Sequence, residues 1–233
     1  IDSHVHVSEP GRTEGEDMAH GTAALAAGGY TTFIDMPLNN RPVTTDFAAF
    51  DLKLDAMKRS SKVDFGLWGG LVPGNLDQLE PLVRRGVMGF KAFMCSSGID
   101  EFPASDTQTL VKGMKRIAAL DSILLIHAED PTRLLEPKGH GALDFIHSRP
   151  EDAEVMAVLE ALTAASGTGC MVHVVPVSTP HGATLAHNPR LDGIDMTCET
   201  CPPPHLYTTP APHPTAGLAN AHPPRRPPHH RPP

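Results

Sequence analysis

The sequence predicts an α/β fold, an incomplete (β/α)8 barrel of about seven βα units. Three observations predict it. Short runs of apolar and β-branched residues alternate with longer stretches of helical periodicity through most of the chain. The short runs are nearly all apolar, as strands of a parallel sheet covered on both faces must be. Single polar residues interrupt or close three of them: His4 and His6 at the end of the first run, Lys91 inside Val87–Met94, and His127 at the end of Ile123–His127. The C-terminal strand ends are where such a barrel places its chemistry. An open doubly wound sheet is the alternative, but no G-x-G-x-x-G follows a strand. The pattern supplies no eighth strand, so the expected barrel is incomplete.

The elements follow in order. Residues 1–7 read as a strand, and Glu9-Pro10-Gly11-Arg12 as a turn. The Ala-rich stretch from Glu16 to Ala27 reads as a helix that Gly28-Gly29 stops. Tyr30–Met36 is β-branched and apolar, a second strand ended by Pro37. Asp46–Arg59 carries Phe47, Phe50, Leu54 and Met57 at helical spacing. Val63–Leu71 is the third strand, Asn75–Arg85 a short helix and Val87–Met94 the fourth strand. A helix over Asp106–Leu120 precedes the fifth strand, Ser122–His127. A long connection with Pro131, Pro137, Gly139 and Gly141 leads to a helix over Glu151–Ser166, which starts acidic as a helix N-terminus prefers. Cys170–Val177 is the sixth strand and Ile194–Glu199 the seventh.

Composition bounds the partners. The 233 residues suffice for a large core, and a net charge of −8 argues against nucleic acid and anionic membranes. No apolar run approaches the roughly 20 residues of a membrane span. The first residue is Ile1 at the start of a strand, which raises the expectation of residues ahead of it. Cys95, Cys170, Cys198 and Cys201 include one lone C-x-x-C, so reduced thiols in a cytoplasmic protein are expected rather than a zinc ribbon. Residues 1–201 are expected to form the barrel domain. The stretch 202–233 holds 12 of the 24 prolines and 5 of the 14 histidines, and no Asp or Glu follows Glu199. Proline at that density blocks helix and sheet interiors, so a disordered tail with polyproline character is expected.

On one strand, His4 and His6 share a face, because side chains alternate with a period of two. Neutral imidazole is the commonest nitrogen ligand for metals, so the pair is a ready bidentate site. With Lys91 and His127 it would converge at the C-terminal rim. A lysine ammonium is a poor ligand, but an amine that has taken up CO2 is a carbamate, able to bridge two divalent cations. Such a pair of cations lowers the pKa of water and polarises a carbonyl, which is hydrolytic chemistry. Lys91 as a snorkelling or salt-bridged strand-end lysine is the alternative.

Taken together, Asp2-Ser3-His4-Val5-His6-Val7-Ser8-Glu9-Pro10-Gly11-Arg12-Thr13, Gly28-Gly29-Tyr30-Thr31-Thr32 and Ile34-Asp35-Met36-Pro37-Leu38-Asn39 resemble the allantoinases, cyclic amidohydrolases of the dihydroorotase–hydantoinase superfamily. So do Gly69-Gly70-Leu71-Val72-Pro73, Gly89-Phe90-Lys91-Ala92-Phe93, His127-Ala128-Glu129 and Cys198-Glu199-Thr200-Cys201-Pro202. The resemblance implies a metal-dependent amidohydrolase barrel that opens allantoin to allantoate. It implies that His4 and His6 bind one metal, that Lys91 is the carboxylated bridge, and that His127 binds the second. Two divalent ions are implied, zinc first, with iron, cobalt or manganese as alternatives. It also implies a homo-oligomer, commonly a tetramer. Dihydroorotases resemble the same stretch but place an arginine before Glu-Pro-Gly, where this chain has Ser8. Hydantoinases and dihydropyrimidinases share the metal site without the Glu-Pro-Gly-Arg and Met-Pro-Leu-Asn combination. Asn39 is a candidate substrate contact or a turn residue before Arg41-Pro42.

Two departures bear on activity. Where the family's sixth strand carries a ligand histidine before Val-Ser, this chain has Pro176. His173 lies three residues earlier, on the opposite side of a regular strand from that position. The aspartate that acts as the family's general base has no counterpart, so no catalytic residue is assigned. A non-catalytic amidohydrolase fragment is therefore the rival expectation.

Overall fold

The computed structural model describes residues 1–14, 16–188 and 193–201, with residues 142 and 143 described by their backbone alone. The expected disordered tail, 202–233, lies outside the described residues. The elements run β1 (Asp2–Val5), α1 (Met18–Ala27), β2 (Thr32–Asp35), α2 (Phe47–Ser60), β3 (Asp64–Leu67), β4 (Gly69–Gly70), α3 (Leu79–Arg85) and β5 (Phe90–Phe93). There follow α4 (Thr107–Ala119), β6 (Ile123–His127), α5 (Ala142–His147), α6 (Glu151–Thr168), β7 (Met171–Val174), α7 (Pro180–His187) and β8 (Met196–Cys198).

Every strand pairing is parallel, in the orders β1-β2-β3 and β4-β5-β6-β7-β8. β3 and β4 are two arms of one run, broken at Trp68. The Trp68 amide still bonds Asp35 O of β2 (2.9 Å), while the next amide, of Gly69, bonds Gly89 O beside β5 (2.9 Å). The Trp68 indole N–H donates to Ser3 O at 2.9 Å, tying the break to β1. Glycine is required at Gly70, where a Cβ would stand 2.6 Å from the Phe102 ring. The described strands therefore form an arc of seven positions, the incomplete barrel expected from the sequence.

Side-chain carboxylates start most of the longer helices. Asp17, Asp46 and Asp106 accept backbone N–H bonds from His20, Ala49 and Thr109. This is why α1 begins at Met18 and not at Glu16. The stretch expected as one helix over 75–85 splits into a 3-10 turn, Leu76–Gln78, and α3. Asn75 causes the split: its side chain bonds Val72 N, Thr45 O and Gly70 O, so it serves the strand ends and leaves the helix uncapped. The long connection after β6 contains α5, and α7 lies between β7 and β8.

Alternation along each strand sorts residues into two layers. Phe33, Phe90, Ala92, Leu124, Ile126, Val172 and Val174 pack outward under the helices, in one buried cluster with Leu110, Met114, Ala157 and Ala161. The intervening positions face inward. There Met36, Trp68, Leu125 and Val175 form a second buried cluster against which Ile34 and Phe93 pack. Lys91, His127 and His173 have the inward parity of their strands, and so do His4 and His6, since their neighbours Val5 and Val7 belong to the outer cluster.

Candidate metal centre

The inward face of β1 supplies the first pair of ligands. His4 Nε2 and His6 Nε2 lie 3.3 Å apart. Two imidazole nitrogens on one tetrahedral cation, with bonds of about 2.0–2.1 Å, would be separated by about 3.4 Å. The donor set present therefore fits a cation without rearrangement. Each ring is also held from behind. His4 Nδ1 pairs with Glu199 Oε1, from just beyond β8. That carboxylate keeps the proton on Nδ1 and leaves the Nε2 lone pair aimed at His6. Asn39 places its amide 3.2 Å from His6 Nδ1, and a side-chain amide can present either its NH2 or, rotated, its oxygen to that nitrogen. Burial, with His4 and Lys91 nearby, lowers the His6 imidazole to about 4, so the ring is neutral at physiological pH.

Glu199 is a residue that sequence reasoning did not single out. Its second oxygen lies 3.3 Å from His173 Nε2, and His173 Nδ1 lies 2.6 Å from the Thr197 hydroxyl. Burial opposes ionisation of Glu199, but hydrogen bonds from His173 and His4 outweigh it and hold the carboxyl down at about 2. The signal was present in the sequence, as an acidic residue at the end of a predicted strand, but its partners are 195 and 26 positions away. His173 thus turns inward, a correction to the expectation that it faces away from the site. β7 is regular through Val174, and the register slips only afterwards: Val175 joins the inner cluster and Val177 the outer one. Pro176, at that slip, has no side-chain ligand atom.

Lys91, on β5, is 1% exposed and donates to Val175 O at 3.3 Å. Its ammonium also lies 4.9 Å from the Phe93 ring centroid. Burial lowers the amine to about 7, against the opposing pull of the Glu199 carboxylate. His127, closing β6, stacks on Phe93 at 4.9 Å. Its Nε2 is 3.9 Å from Glu129 Oε2, and Glu129 also pairs with Arg149 and accepts from Cys95 Sγ at 3.3 Å. The arrangement brings His4 and His6 into direct contact, sets Lys91 within electrostatic reach of His6, and stations His127 among Cys95 and Glu129. Asn39 stands on His6 at a left-handed φ of 77°, as a turn residue would, with its side chain on the site.

The chain resembles known proteins in sequence and in fold. The chain is 49% identical over 215 residues to an allantoinase of Rubrobacter xylanophilus, covering 89% of this chain and 47% of that protein. It is 40% identical over 209 residues to the allantoinase of Saccharomyces cerevisiae, covering 86% and 45%. Among solved structures, the L-hydantoinase (dihydropyrimidinase) of Arthrobacter aurescens superimposes with a TM-score of 0.81 at 32% identity, over 85% of this chain and 46% of that one. The chain spans about half the length of the relatives it matches. A model of the amidohydrolase family, whose members are generally metal-dependent, matches residues 1–213, and the chain belongs to that family.

Proposed function

We propose that this chain carries the cation-binding half of a cyclic-amide hydrolase that opens a ring amide of allantoin to give allantoate. The observation that supports it most is the His4–His6 nitrogen pair at 3.3 Å, with the rear nitrogen of each ring in contact with Glu199 or Asn39. The identity to proteins named allantoinases supports allantoin as the substrate. His4 and His6 would hold one divalent cation, and His127 with Lys91 as its carbamate a second, zinc being our first choice. Bound there, the cations would supply an ionised water at neutral pH and polarise the ring carbonyl.

The chain's own residues prepare that chemistry. With its amine at about 7, Lys91 is substantially unprotonated at neutral pH. The nitrogen lone pair adds to the carbon of CO2, one C=O pair moves to oxygen, and the nitrogen's proton leaves to solvent. Glu199 keeps His4 in the tautomer that presents Nε2. One end of the Asn39 amide holds His6, and we assign its other end to the substrate ring. No residue of this chain is assigned to proton transfer. A homo-oligomer and a cytoplasmic location belong to the same proposal, and no helix among the described residues is long and apolar enough to cross a membrane.

The likeness to an L-hydantoinase supports a second reading, with a hydantoin or dihydropyrimidine ring as substrate. Turnover of allantoin and of hydantoin after incubation with zinc and bicarbonate, with Lys91→Ala as control, separates the readings. Allantoin opening that is lost in the control supports the first, and preference for hydantoin the second. Cation binding with turnover of neither leaves a cation-binding fragment without activity.

A further inference from the structure

We propose that Glu101 is a positioning residue: through Arg41 it holds Asn39 against His6, as the centre of an ion-pair latch that joins three loops at the C-terminal rim. The substrate contact assigned to Asn39 rests on the proposed function, whereas the latch rests on geometry alone. Arg12 follows β1, Arg41 follows β2 and Glu101 follows β5, so all three leave the C-terminal ends of their strands. Arg41 Nε pairs with Glu101 Oε1 at 2.8 Å, and Arg12 Nη2 lies 3.8 Å from Glu101 Oε2. One carboxylate thus meets two guanidinium groups from separate loops. Its own backbone amide first, and then the Arg41 and Arg12 charges, hold the Glu101 carboxyl below the ordinary carboxylate range, so it is ionised at neutral pH.

The latch has a firm base. Next to Glu101, Phe102 is fully buried, packs edge-on against Phe93 at 5.8 Å, and its carbonyl accepts from Ser97 Oγ at 2.6 Å. The β1 and β2 loops touch beneath it. Arg41 N donates to Pro10 O at 2.8 Å, and a Cβ at Gly11, whose φ is +93°, would stand 2.6 Å from Arg41 Cβ. Within the β2 loop, Asn40 Nδ2 donates to Pro42 O at 2.7 Å and Thr44 N to Pro37 O at 2.8 Å, which closes the turn behind Asn39. Asn39 itself sits at a φ of 77°, a conformation that a residue other than glycine keeps where its surroundings over-determine it. Its amide reaches His6 Nδ1 at 3.2 Å, and two residues on, Arg41 ties the turn to the β5 loop. With side chains 58% and 40% exposed, the Arg41–Glu101 pair adds little to global stability. Its effect falls on where Asn39 stands.

Proton–nitrogen correlation NMR of the metal-free full chain reads the Asn39 side-chain amide, identified by its loss in Asn39→Asp. Glu101→Gln and Arg41→Gln should each move that pair of resonances toward the positions of a free asparagine amide. The double variant should move them no further than either change alone, and the charge-swapped Glu101→Arg/Arg41→Glu should bring them back. In about 1 M sodium chloride, where charges are screened beyond about 3 Å, the wild type should shift in the same direction and Glu101→Gln should not respond. The unfolding midpoint of Glu101→Gln should match the wild type. In the zinc-loaded chain, calorimetry should show allantoin binding weakened roughly threefold or more by Glu101→Gln, and not weakened by it in an Asn39→Ala background. Asn39 resonances that stay in place in Glu101→Gln overturn the proposal. So do shifts that simply add in the double variant, or a fall in unfolding midpoint that accompanies them. A zinc-loaded wild type that binds no allantoin, with the resonances shifting as expected in the variants, sinks the substrate reading and leaves the latch intact.

Discussion

Glu199 meets His4 at the nitrogen facing away from His6, and the geometry of the pair depends on that contact. Glu199→Gln keeps the shape but loses the charge that fixes the tautomer, so zinc affinity at the histidine pair should fall 10- to 100-fold in a chelator-competition titration. Lys91 carries a different signature. Its folded-state value, about 7, lies below the 10.5 of an exposed lysine, so the unfolded chain takes the proton more readily. The metal-free protein should therefore gain stability as pH rises from about 7 toward 10, with a limiting slope of about 1.4 kcal/mol per pH unit. Lys91→Met should flatten that rise in urea titrations run across the range. The lysine was legible in the sequence because a charge inside an apolar strand is conspicuous. Glu199 was harder to see as a site residue, because what it does depends on His4 and His173 in other strands.

At the scale of elements, the loop that follows β1 is braced from outside the barrel. Lys53 of α2 is fully buried, pairs with Asp35 of β2 at 2.9 Å and donates to Val7 O and Glu9 O at 2.5 and 2.6 Å. Asp35 Oδ1 in turn accepts from Val7 N at 2.7 Å. Lys53→Met would leave the Asp35 carboxylate buried without its cation, and equilibrium unfolding should show a loss of about 3–5 kcal/mol. Strand positions could be read directly from apolar runs, and two helix starts from Asp46 and Asp106, while the first helix starts two residues later than its Ala-rich run suggested. The break at Trp68 could not, since it is set by an indole reaching Ser3, 65 residues away. Nor could the inward turn of His173, because the proline that prompted the opposite expectation lies beyond the end of a regular β7.

Across the whole molecule, seven strand positions form an arc whose two ends are joined by side chains, His4 of β1 with Glu199 beyond β8. The cation site and the arc are thereby coupled, and a cation bridging His4 and His6 stabilises the folded chain by mass action. At 100 times the dissociation constant, the gain should be about 2.7 kcal/mol, read as a rise in unfolding midpoint with added zinc. A midpoint indifferent to zinc would remove that coupling. The barrel class was visible in the sequence because parallel strands buried on both faces leave short, nearly all-apolar runs between helical stretches. The joining of the arc's ends was not, because it depends on two residues 195 positions apart.

Calorimetric titration of the metal-free chain with zinc tests most directly whether the inward face of β1 binds a divalent cation. Saturable binding in the wild type that weakens at least tenfold in His4→Ala/His6→Ala, with the variant's fold intact, is the predicted result. Zinc binding of equal strength in the wild type and the double variant would contradict it, because the 3.3 Å nitrogen pair would then hold nothing.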